Sequence, residues 1–354
     1  MSVKVKKVFV GLSGGVDSSV SALRLKKQGY DVVGVFIKVW HPDFMVCNWE
    51  KERLDAMRVS AHLEIPFLTC DAEAEYRDEV AKYFIDEYKA GRTPNPDVMC
   101  NQKVKFGAFL RFAKERGADF IATGHYARKI KNEGDYELHR GVDNNKDQSY
   151  FLWSLSKEQL AYSLFPVGDT PKEKIRAEAE LAGIPVARKK DSQGICFLGH
   201  IDIPEFLSHY IDLTPGDVLD EERRVIGRHK GAVVYTLGQR HGFTLDSKDE
   251  ERKAVFVTGR DIEANTITVG KKREVVAEIN EVTLDDMTLR SRISGGDVIE
   301  AQFRYRQKPF EIKIISQDNR SMVIEPCESV EKPASGQSCV LYKGSLCIGG
   351  GIVA

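Results

Sequence analysis

The sequence of 354 residues lacks any apolar run long enough to cross a membrane. Its most apolar stretches, residues 32–37 and 232–237, fall far short of the ~20 residues that a spanning helix needs. The N-terminus also lacks the hydrophobic region and cleavage site of a signal peptide, since residues 1–10 lead straight into a lysine-flanked strand. We therefore expect a cytoplasmic protein with no membrane partner.

An excess of charge of one sign is lacking too, because 52 basic residues face 53 acidic residues for a formal net charge of -1. Any site for a polyanion must then be a local patch. The seven cysteines include no CxxC pair, so the sequence predicts no tightly bound metal or iron–sulfur cluster. The 42% of apolar residues is enough for an ordinary core in two or three domains.

The first 125 residues alternate short apolar runs with longer segments of helical period. Such alternation predicts a doubly wound parallel α/β sheet whose ligands lie at the carboxyl ends of the strands. The predicted strands are residues 8–10, 31–39, 66–70 and 120–123. The predicted helices are residues 18–28, 49–63, 72–90 and 103–116.

Beyond about residue 207 the pattern changes to short β-type runs punctuated by glycine and proline. The sequence therefore predicts a catalytic domain over 1–207, a small β-rich central domain over 208–272 and a C-terminal β-barrel over 273–354. The predicted C-terminal strands are residues 298–305, 310–315, 322–326 and 339–342.

The strongest local signal is a glycine- and serine-rich stretch between the first strand and the first helix. Backbone N–H groups at such a turn, together with serine hydroxyls, form a cradle for an anion. The alternative is a structural strand-to-helix turn with an Asp or Ser cap. The candidate nucleotide-binding residues are Gly11, Leu12, Ser13, Gly14, Gly15, Val16, Asp17 and Ser18.

This stretch is not a Walker A loop, because it lacks the lysine that contacts the β- and γ-phosphates. The missing lysine argues against transfer of the γ-phosphoryl group. A negatively charged Asp17 would repel an anion bound in this loop unless a cation lies between them. We therefore expect Asp17 to hold a Mg²⁺ ion that the pyrophosphate also binds. The stretch resembles the pyrophosphate-binding loop of the N-type ATP pyrophosphatases, which implies ATP as the nucleotide.

Two cysteines lie in polar segments of the sequence and not in the apolar runs that would form a buried core. Cys100 follows Asp97 by three residues in a proline-rich stretch, residues 92–101, which we predict to be a loop. Cys196 lies close to Gly194 and follows a basic run at residues 188–190, a setting that lowers a thiol pKa. Each cysteine taken alone could be a buried, inert thiol. Two cysteines in polar segments of this kind instead indicate that the two thiols form a redox-active pair.

Eight motifs, in order along nearly the whole chain, resemble those of the bacterial tRNA-specific 2-thiouridylases. They are Ser13-Gly14-Gly15-Val16-Asp17-Ser18, Asn95-Pro96-Asp97 with Cys100-Asn101, Ala122-Thr123-Gly124-His125-Tyr126, Lys146-Asp147-Gln148-Ser149-Tyr150-Phe151-Leu152, residues 192–197, Tyr235-Thr236-Leu237-Gly238-Gln239-Arg240, Arg304-Tyr305-Arg306 and Gly336-Gln337-Ser338.

The resemblance implies an ATP-dependent sulfurtransferase that adenylates C2 of the wobble uridine of tRNA and replaces its oxygen with sulfur. It implies that Cys196 carries the persulfide, that Cys100 forms a disulfide with it, and that Asp97 acts as acid or base. It further implies a sulfur-relay protein, a reductant for that disulfide, and nucleotide contacts at Ile37 and Gly124. The implied tRNA contacts are Asp97, Val98, Met99, His125, Lys146, Asp147, Gln148, Arg304, Tyr305 and Gln337.

Several of these residues have structural alternatives. His125 could be a core histidine, Asp147 could cap a helix, and Arg304 with Tyr305 could be a pair on a sheet surface. At position 37 the family often has Met, whereas this chain has Ile37, which keeps only the apolar character. Cys47 and its surrounding segment match nothing in the family. An amidating enzyme of the same superfamily, and an RNA-binding protein regulated by a nucleotide, are the competing functions.

Overall fold

The structure, a computed structural model, describes residues 5–45, 49–191, 203–246, 255–271, 280–293, 297–318 and 320–354. The strands in these ranges are β1 Lys7–Gly11, β2 Asp31–Lys38, β3 Phe67–Asp71, β4 Phe120–Ala122, β5 Ala127–Asn132, β6 Asp135–Arg140, β7 Ser163–Leu164, β8 Gly216–Leu219, β9 Val225–His229, β10 Phe243–Leu245, β11 Phe256–Asp261, β12 Thr266–Gly270, β13 Val282–Leu289, β14 Ile299–Gln302, β15 Phe310–Gln317, β16 Met322–Pro326, β17 Ser338–Lys343 and β18 Leu346–Val353.

The helices lie mainly in the first 210 residues. They are α1 Val16–Lys27, α2 Trp49–His62, α3 Glu73–Glu75, α4 Lys82–Lys89, α5 Pro96–Met99, α6 Phe109–Glu115, α7 Lys157–Ala161, α8 Lys172–Leu181 and α9 Ile203–Ser208. Two π-helical segments, Tyr76–Ala81 and Cys100–Ala108, join α3 to α4 and α5 to α6. Two 3₁₀ turns are Ser149–Leu152 and Ala232–Val234.

Strands β1 to β4 and β7 form a parallel sheet in the order β3-β2-β1-β4-β7. The chain runs outward from β1 to β3 and then returns to the other side of β1 with β4. A ligand in such a fold binds at this switch point, beyond the carboxyl ends of β1 and β4. The predicted doubly wound α/β fold is confirmed.

Alternate residues of β1 belong to different hydrophobic cores. Phe9 packs in the core that also contains Tyr76, whereas Val8 and Val10 pack in the core that also contains Val20. Burial on both faces explains why β1 reads as a continuous apolar run. The sheet is thereby covered on both sides, and its carboxyl edge carries the phosphate loop.

The second half of the chain forms two β units. Strands β8 to β12 make a five-stranded sheet in the order β10-β9-β8-β12-β11. Strands β13 to β18 form a barrel in the order β13-β16-β15-β14-β17-β18, which the pairing of β13 with β18 closes. The predicted barrel is confirmed. The β5–β6 hairpin pairs with the first residues of β18, so the barrel sheet extends into the N-terminal part of the chain.

Some details differ from the sequence-based expectations, among them one predicted loop and two strands. The prediction of a loop over residues 92–101 is wrong beyond Asn95, because Pro96 begins α5. Asn95 accepts a hydrogen bond from the Val98 N–H at 3.3 Å, and proline is favoured at the first helical position. Strands β13 and β18 were not predicted, since Asp285 and Asp286 interrupt the first and three glycines interrupt the second. The domain boundaries stay predictions.

Candidate functional site

The phosphate loop connects Gly11 at the end of β1 to Val16 at the start of α1. The Ser13 and Ser18 hydroxyls lie 3.4 Å apart, and the Ser13 N–H donates to the Ser18 hydroxyl at 3.3 Å. Gly15 occupies the N-cap position and has no side chain to cap the helix. The first N–H groups of α1 and the two hydroxyls therefore face the same space, as an anion site requires.

Gly14 fixes the shape of this loop. Its φ of +68° lies in the left-handed region, and a Cβ here would lie 2.7 Å from the Glu52 carbonyl oxygen and 2.9 Å from Asp55 Cβ. Both contacts come from α2, which packs against the loop. A side chain at position 14 is thus excluded by backbone conformation and by space.

The other predicted nucleotide residues lie in the loop or beside it. Leu12 and Val16 are buried in the core that β1 shares with α1. Ile37, at the end of β2, is buried, and its Cδ1 lies 3.5 Å from the position that a Cβ on Gly11 would take. The structure therefore brings the ends of β1 and β2 together, with the buried Ile37 side chain beside Gly11, and the predicted nucleotide contact of Ile37 stays a prediction.

Gly124 lies just beyond the end of β4 and packs against the start of α1. A Cβ at Gly124 would lie 2.7 Å from the Ser18 nitrogen and 2.9 Å from the Asp17 carbonyl carbon. Both are backbone atoms and cannot swing aside. Gly124 thus permits the close approach of β4 to the phosphate loop.

We expect Gly124→Ala to weaken ATP binding by about ten-fold and to lower the free energy of unfolding by ~1–3 kcal/mol, because overpacking would push α1 away from the loop. Nucleotide titration and thermal unfolding measure the two effects. Gly259→Ala is the matched control, since a Cβ there would make only ordinary contacts of 3.6 Å with Thr268. Wild-type affinity in the Gly124 variant would contradict the proposed packing role.

Asp17 is held by two residues that the motifs did not assign to it. The Tyr126 hydroxyl donates to Asp17 Oδ1 at 2.7 Å, and the Lys172 ammonium donates to both carboxylate oxygens at 2.7 and 2.8 Å. Lys172 begins α8, 155 positions away, and its side chain is only 9% exposed. No spacing rule links two residues so far apart, which is why sequence reasoning missed Lys172.

Asp97 and Cys100 lie three residues apart at the junction of α5 with the following π-helical segment. This spacing places them on the same side of a helix. Cys100 is 1% exposed, and Val98 beside it is buried in the same core, whereas Met99 is half-buried. Cys196 lies outside the described residues, so the predicted cysteine pair stays a prediction.

The segment that leads into α5 is fixed by both β units. The Thr93 N–H donates to the Ser335 carbonyl oxygen at 2.8 Å, two residues before Gln337. The Thr93 and Thr236 hydroxyls lie 3.0 Å apart. All three parts of the chain therefore meet immediately before Asp97.

The Lys146-Asp147-Gln148 motif has three different environments. Lys146 pairs with Asp191 at 2.7 Å. Asp147 is buried and accepts hydrogen bonds from the Gly141 N–H, the Ser149 N–H and the Ser149 hydroxyl. The Gln148 side chain accepts from the Tyr126 N–H at 3.0 Å. Asp147 thus stabilises the turn before the 3₁₀ segment, whose N-cap is Gln148 and not Asp147, while the Gln148 side chain contacts the residue that donates to Asp17.

Of the three predicted tRNA residues of the barrel, Tyr305 contacts the N-terminal part of the chain, whereas Arg304 and Gln337 contact other residues of the C-terminal unit. Arg304 pairs with Glu331 at 2.9 Å. The Tyr305 ring centroid lies 4.5 Å from that of Phe151. Gln337 accepts a hydrogen bond from the Ala334 N–H at 3.3 Å.

The His125 side chain is buried, as the core alternative for this residue requires. Its Nδ1 is 2.8 Å from the Thr123 hydroxyl, and the Phe106 and Phe165 rings pack against it. Burial, aided by the charge of Lys105, holds the pKa of His125 well below its usual range. The imidazole is therefore neutral at pH 7.

Comparison with known proteins bears on the whole chain. Three family models match it: the tRNA methyl transferase HUP domain over residues 6–200, the tRNA methyl transferase PRC-barrel domain over 204–271, and the aminomethyltransferase β-barrel domain over 290–353. A tRNA-specific 2-thiouridylase MnmA from Lysinibacillus sphaericus is 44% identical over 355 residues, covering 98% of this chain and 94% of that protein. The chain belongs to the tRNA-specific 2-thiouridylase family.

Other members of the 2-thiouridylase family match similarly. The tRNA-specific 2-thiouridylase MnmA of Enterococcus faecalis is 42% identical, covering 98% of this chain and 95% of that protein. Among solved structures, the U34-tRNA thiolase NcsA from Methanococcus maripaludis is 18% identical with a TM-score of 0.36, covering 58% of this chain and 64% of that chain. A similarity of that size supports no conclusion about the site.

The described residues contain neither a membrane-spanning helix nor a cluster of metal ligands. No helix among them is long and apolar enough to cross a membrane. No group of three or more His, Cys, Asp or Glu side chains in that part of the chain is placed to hold a metal ion.

Proposed function

We propose that this chain is an ATP-dependent tRNA-uridine 2-sulfurtransferase that converts the wobble uridine to 2-thiouridine and releases AMP and pyrophosphate. The observation that carries the proposal is the 44% identity to a curated thiouridylase along 98% of the chain. The phosphate loop supports it, because an anion cradle without a Walker lysine suits cleavage between the α- and β-phosphates.

The uracil O2 is a poor leaving group until it is adenylated. In the proposed first step O2 attacks the α-phosphorus of ATP and pyrophosphate leaves. The terminal sulfur of a Cys196 persulfide then attacks C2, and AMP leaves with the oxygen. Finally the Cys100 thiolate attacks the Cys196 sulfur and breaks the S–S bond, which leaves one sulfur on the base and a Cys100–Cys196 disulfide.

Each turnover then needs two electrons to reopen the disulfide and one new sulfur atom. We infer a reductant and a persulfide-carrying relay protein as partners, in the cytoplasm. In this scheme Asp97, on the same side of the helix as Cys100, would manage the proton near the thiol or the base. Tyr305, beside Phe151, supplies an aromatic face of the kind that stacks on a splayed base.

Magnesium accompanies ATP and prefers one or two carboxylates together with phosphate oxygens. Asp17 fits this requirement, because it lies at the start of α1 and is 28% exposed. When bound there, the ion would neutralise part of the charge on the departing pyrophosphate. The residues that would orient Asp17 are Tyr126 and Lys172.

The proposed tRNA contacts Lys146 and Arg304 both form ion pairs, with Asp191 and Glu331. A tRNA phosphate would have to compete with these carboxylates. Because the chain is nearly neutral, we expect binding to depend on a few such contacts rather than on a broad basic surface.

We expect Arg304→Ala to weaken tRNA binding and to make the slope of log K against log salt less steep by about one unit, because one phosphate contact is lost. Filter binding or anisotropy from low to high salt measures this slope. Arg320→Ala, which removes an exposed arginine of the barrel, should leave the slope unchanged. An unchanged slope and affinity in the Arg304 variant would move the RNA surface elsewhere.

Three alternative functions predict other outcomes of the reaction. A methyl transferase, the description that the family models carry, would methylate tRNA and release no AMP. An amidating relative would release AMP but leave no sulfur on the base, and an RNA-binding protein would turn over nothing. Incubating the chain with tRNA, ATP and a persulfide donor, followed by nucleoside mass spectrometry, separates them. We expect 2-thiouridine, and its absence together with a methylated or aminated base would refute the proposed function.

A further inference from the structure

Lys172 is a buried cation beside the phosphate loop that the proposed mechanism has used only to orient Asp17. Its ammonium nitrogen lies within 2.8 Å of both Asp17 oxygens. Lysine is almost never buried so deeply unless it is paired. The same Asp17 carboxylate is the proposed Mg²⁺ ligand, so nucleotide binding must change the partners of Lys172.

A second carboxylate holds Lys172 from another direction. Asp191 lies 2.9 Å from the Lys172 nitrogen and also pairs with Lys146 and Arg176. Burial opposes ionisation of Asp191, but the hydrogen bonds and charges of Lys146 and Lys172 outweigh it and hold its pKa well below its usual range. Two carboxylates therefore face three cations at this point, and a third carboxylate, Asp143, accepts a hydrogen bond from the Lys172 backbone N–H at 3.0 Å.

The donor count of an ammonium group explains what this arrangement allows. Lys172 has three N–H donors, of which two are directed to Asp17 and one to Asp191. If Asp17 turns to Mg²⁺, two donors become available while Asp191 still holds the ammonium in place. A polyphosphate is the ligand expected there, because the loop offers hydroxyls and N–H groups but has no lysine of its own.

We propose that Lys172 is a ligand of the pyrophosphate portion of ATP, and that Asp191 is the positioning residue that keeps it there. The proposal rests on the proposed function, since it concerns the same nucleotide site. It supplies from α8 the cation that the loop lacks. The competing interpretation is that Lys172 only neutralises Asp17 and never touches the nucleotide.

Calorimetry of Mg-pyrophosphate and of AMP binding to the full chain, without tRNA or a sulfur donor, tests the proposal. We expect Lys172→Met to weaken pyrophosphate binding about 10- to 100-fold, as for loss of a charged hydrogen bond, and to leave AMP binding within about two-fold. Lys174→Met, which removes an exposed lysine two residues further along α8, is the matched control and should bind both ligands normally.

A double-mutant cycle with Asp17→Asn separates the two interpretations. If Lys172 touches the phosphates, Lys172→Met still costs about ten-fold or more when Asp17 is already neutral. If Lys172 only neutralises Asp17, the double variant binds pyrophosphate as well as Asp17→Asn alone, and the proposal is overturned. Lys172→Met alone leaves the Asp17 carboxylate without its cation and could therefore destabilise the fold. The double variant replaces both charged groups, so it keeps the test valid even if Lys172→Met alone folds poorly.

Two other outcomes are also decisive. Unchanged pyrophosphate affinity in Lys172→Met, or no pyrophosphate binding by the unchanged chain, would overturn the proposal. Failure of the chain to form 2-thiouridine would instead count against the proposed function, because the binding experiment contains neither tRNA nor sulfur.

Discussion

Cys100→Ser is expected to take up sulfur from a persulfide donor yet to form 2-thiouridine at least about 10³-fold more slowly, as for loss of a nucleophile that works in a unit. Cys196→Ser is expected to fail at the earlier step and take up no labelled sulfur. The difference follows from the proposed division of labour, in which Cys196 carries the persulfide and Cys100 resolves it. Radiolabelled sulfur transfer and single-turnover product formation measure the two steps.

Both variants should still bind ATP, because the phosphate loop is intact in each. Cys327→Ser is the control, since that thiol is exposed on the barrel and has no assigned role. Cys70→Ser is a second control, because burial and the charge of Glu75 raise the pKa of the Cys70 thiol to about 12, so that this thiol stays protonated and unreactive. If Cys100→Ser fails to load while Cys196→Ser loads normally, the roles are reversed; a double variant that still thiolates tRNA would refute the mechanism.

Asp17→Ala is expected to lower the rate of tRNA-dependent AMP formation by about 10² or more, because a preorganised electrostatic contact to the leaving pyrophosphate is lost. It also removes one of the two carboxylates that pair with buried Lys172. Initial rates over a range of Mg²⁺ concentrations, with thermal unfolding to confirm the fold, measure the effect.

Asp31→Ala is the matched control for Asp17→Ala. Asp31 is a half-exposed aspartate that begins β2 and pairs with Lys7 at the opposite end of the sheet from the phosphate loop. This control should keep the wild-type rate. A wild-type rate and Mg²⁺ dependence in Asp17→Ala would remove Asp17 from the nucleotide site.

Local patterns predicted the parallel sheet and the phosphate loop well. The strand at β1 is apolar because both of its faces are buried, and Gly14 follows it because the turn needs a left-handed residue. These signals lie within a few residues of one another. The sequence alone therefore located the switch point where β1 and β4 end.

The contacts that sequence could not predict connect distant parts of the chain. Lys172 reaches Asp17 only because α8 packs against α1, and Arg304 meets Glu331 only once the barrel has closed. Strand β18 also escaped prediction. Gly350 and Gly351 are favoured there because a Cβ would meet the backbone carbonyl oxygens of Cys339 and Asp285 on the neighbouring strands, which is a tertiary reason and not a local one.

The helical segment that contains Cys100 was also not predicted from the sequence. Two prolines in residues 92–101 suggested a loop, yet Pro96 occupies the first position of α5, where its missing N–H costs nothing. The Asn95 cap that decides between these possibilities is visible in the sequence. Placing Asp97 and Cys100 on one helical side needed only that cap to be recognised.

In the proposed mechanism adenylation of tRNA drives sulfur transfer, so AMP, pyrophosphate and 2-thiouridine must form in a fixed ratio. The chain is incubated with α-labelled ATP, tRNA with an unmodified wobble uridine and a persulfide donor, and AMP, pyrophosphate and 2-thiouridine are counted. We expect equal amounts of the three products, and no AMP when tRNA is omitted. ADP and phosphate as products, or 2-thiouridine formed without AMP, would refute the coupling of adenylation to sulfur transfer.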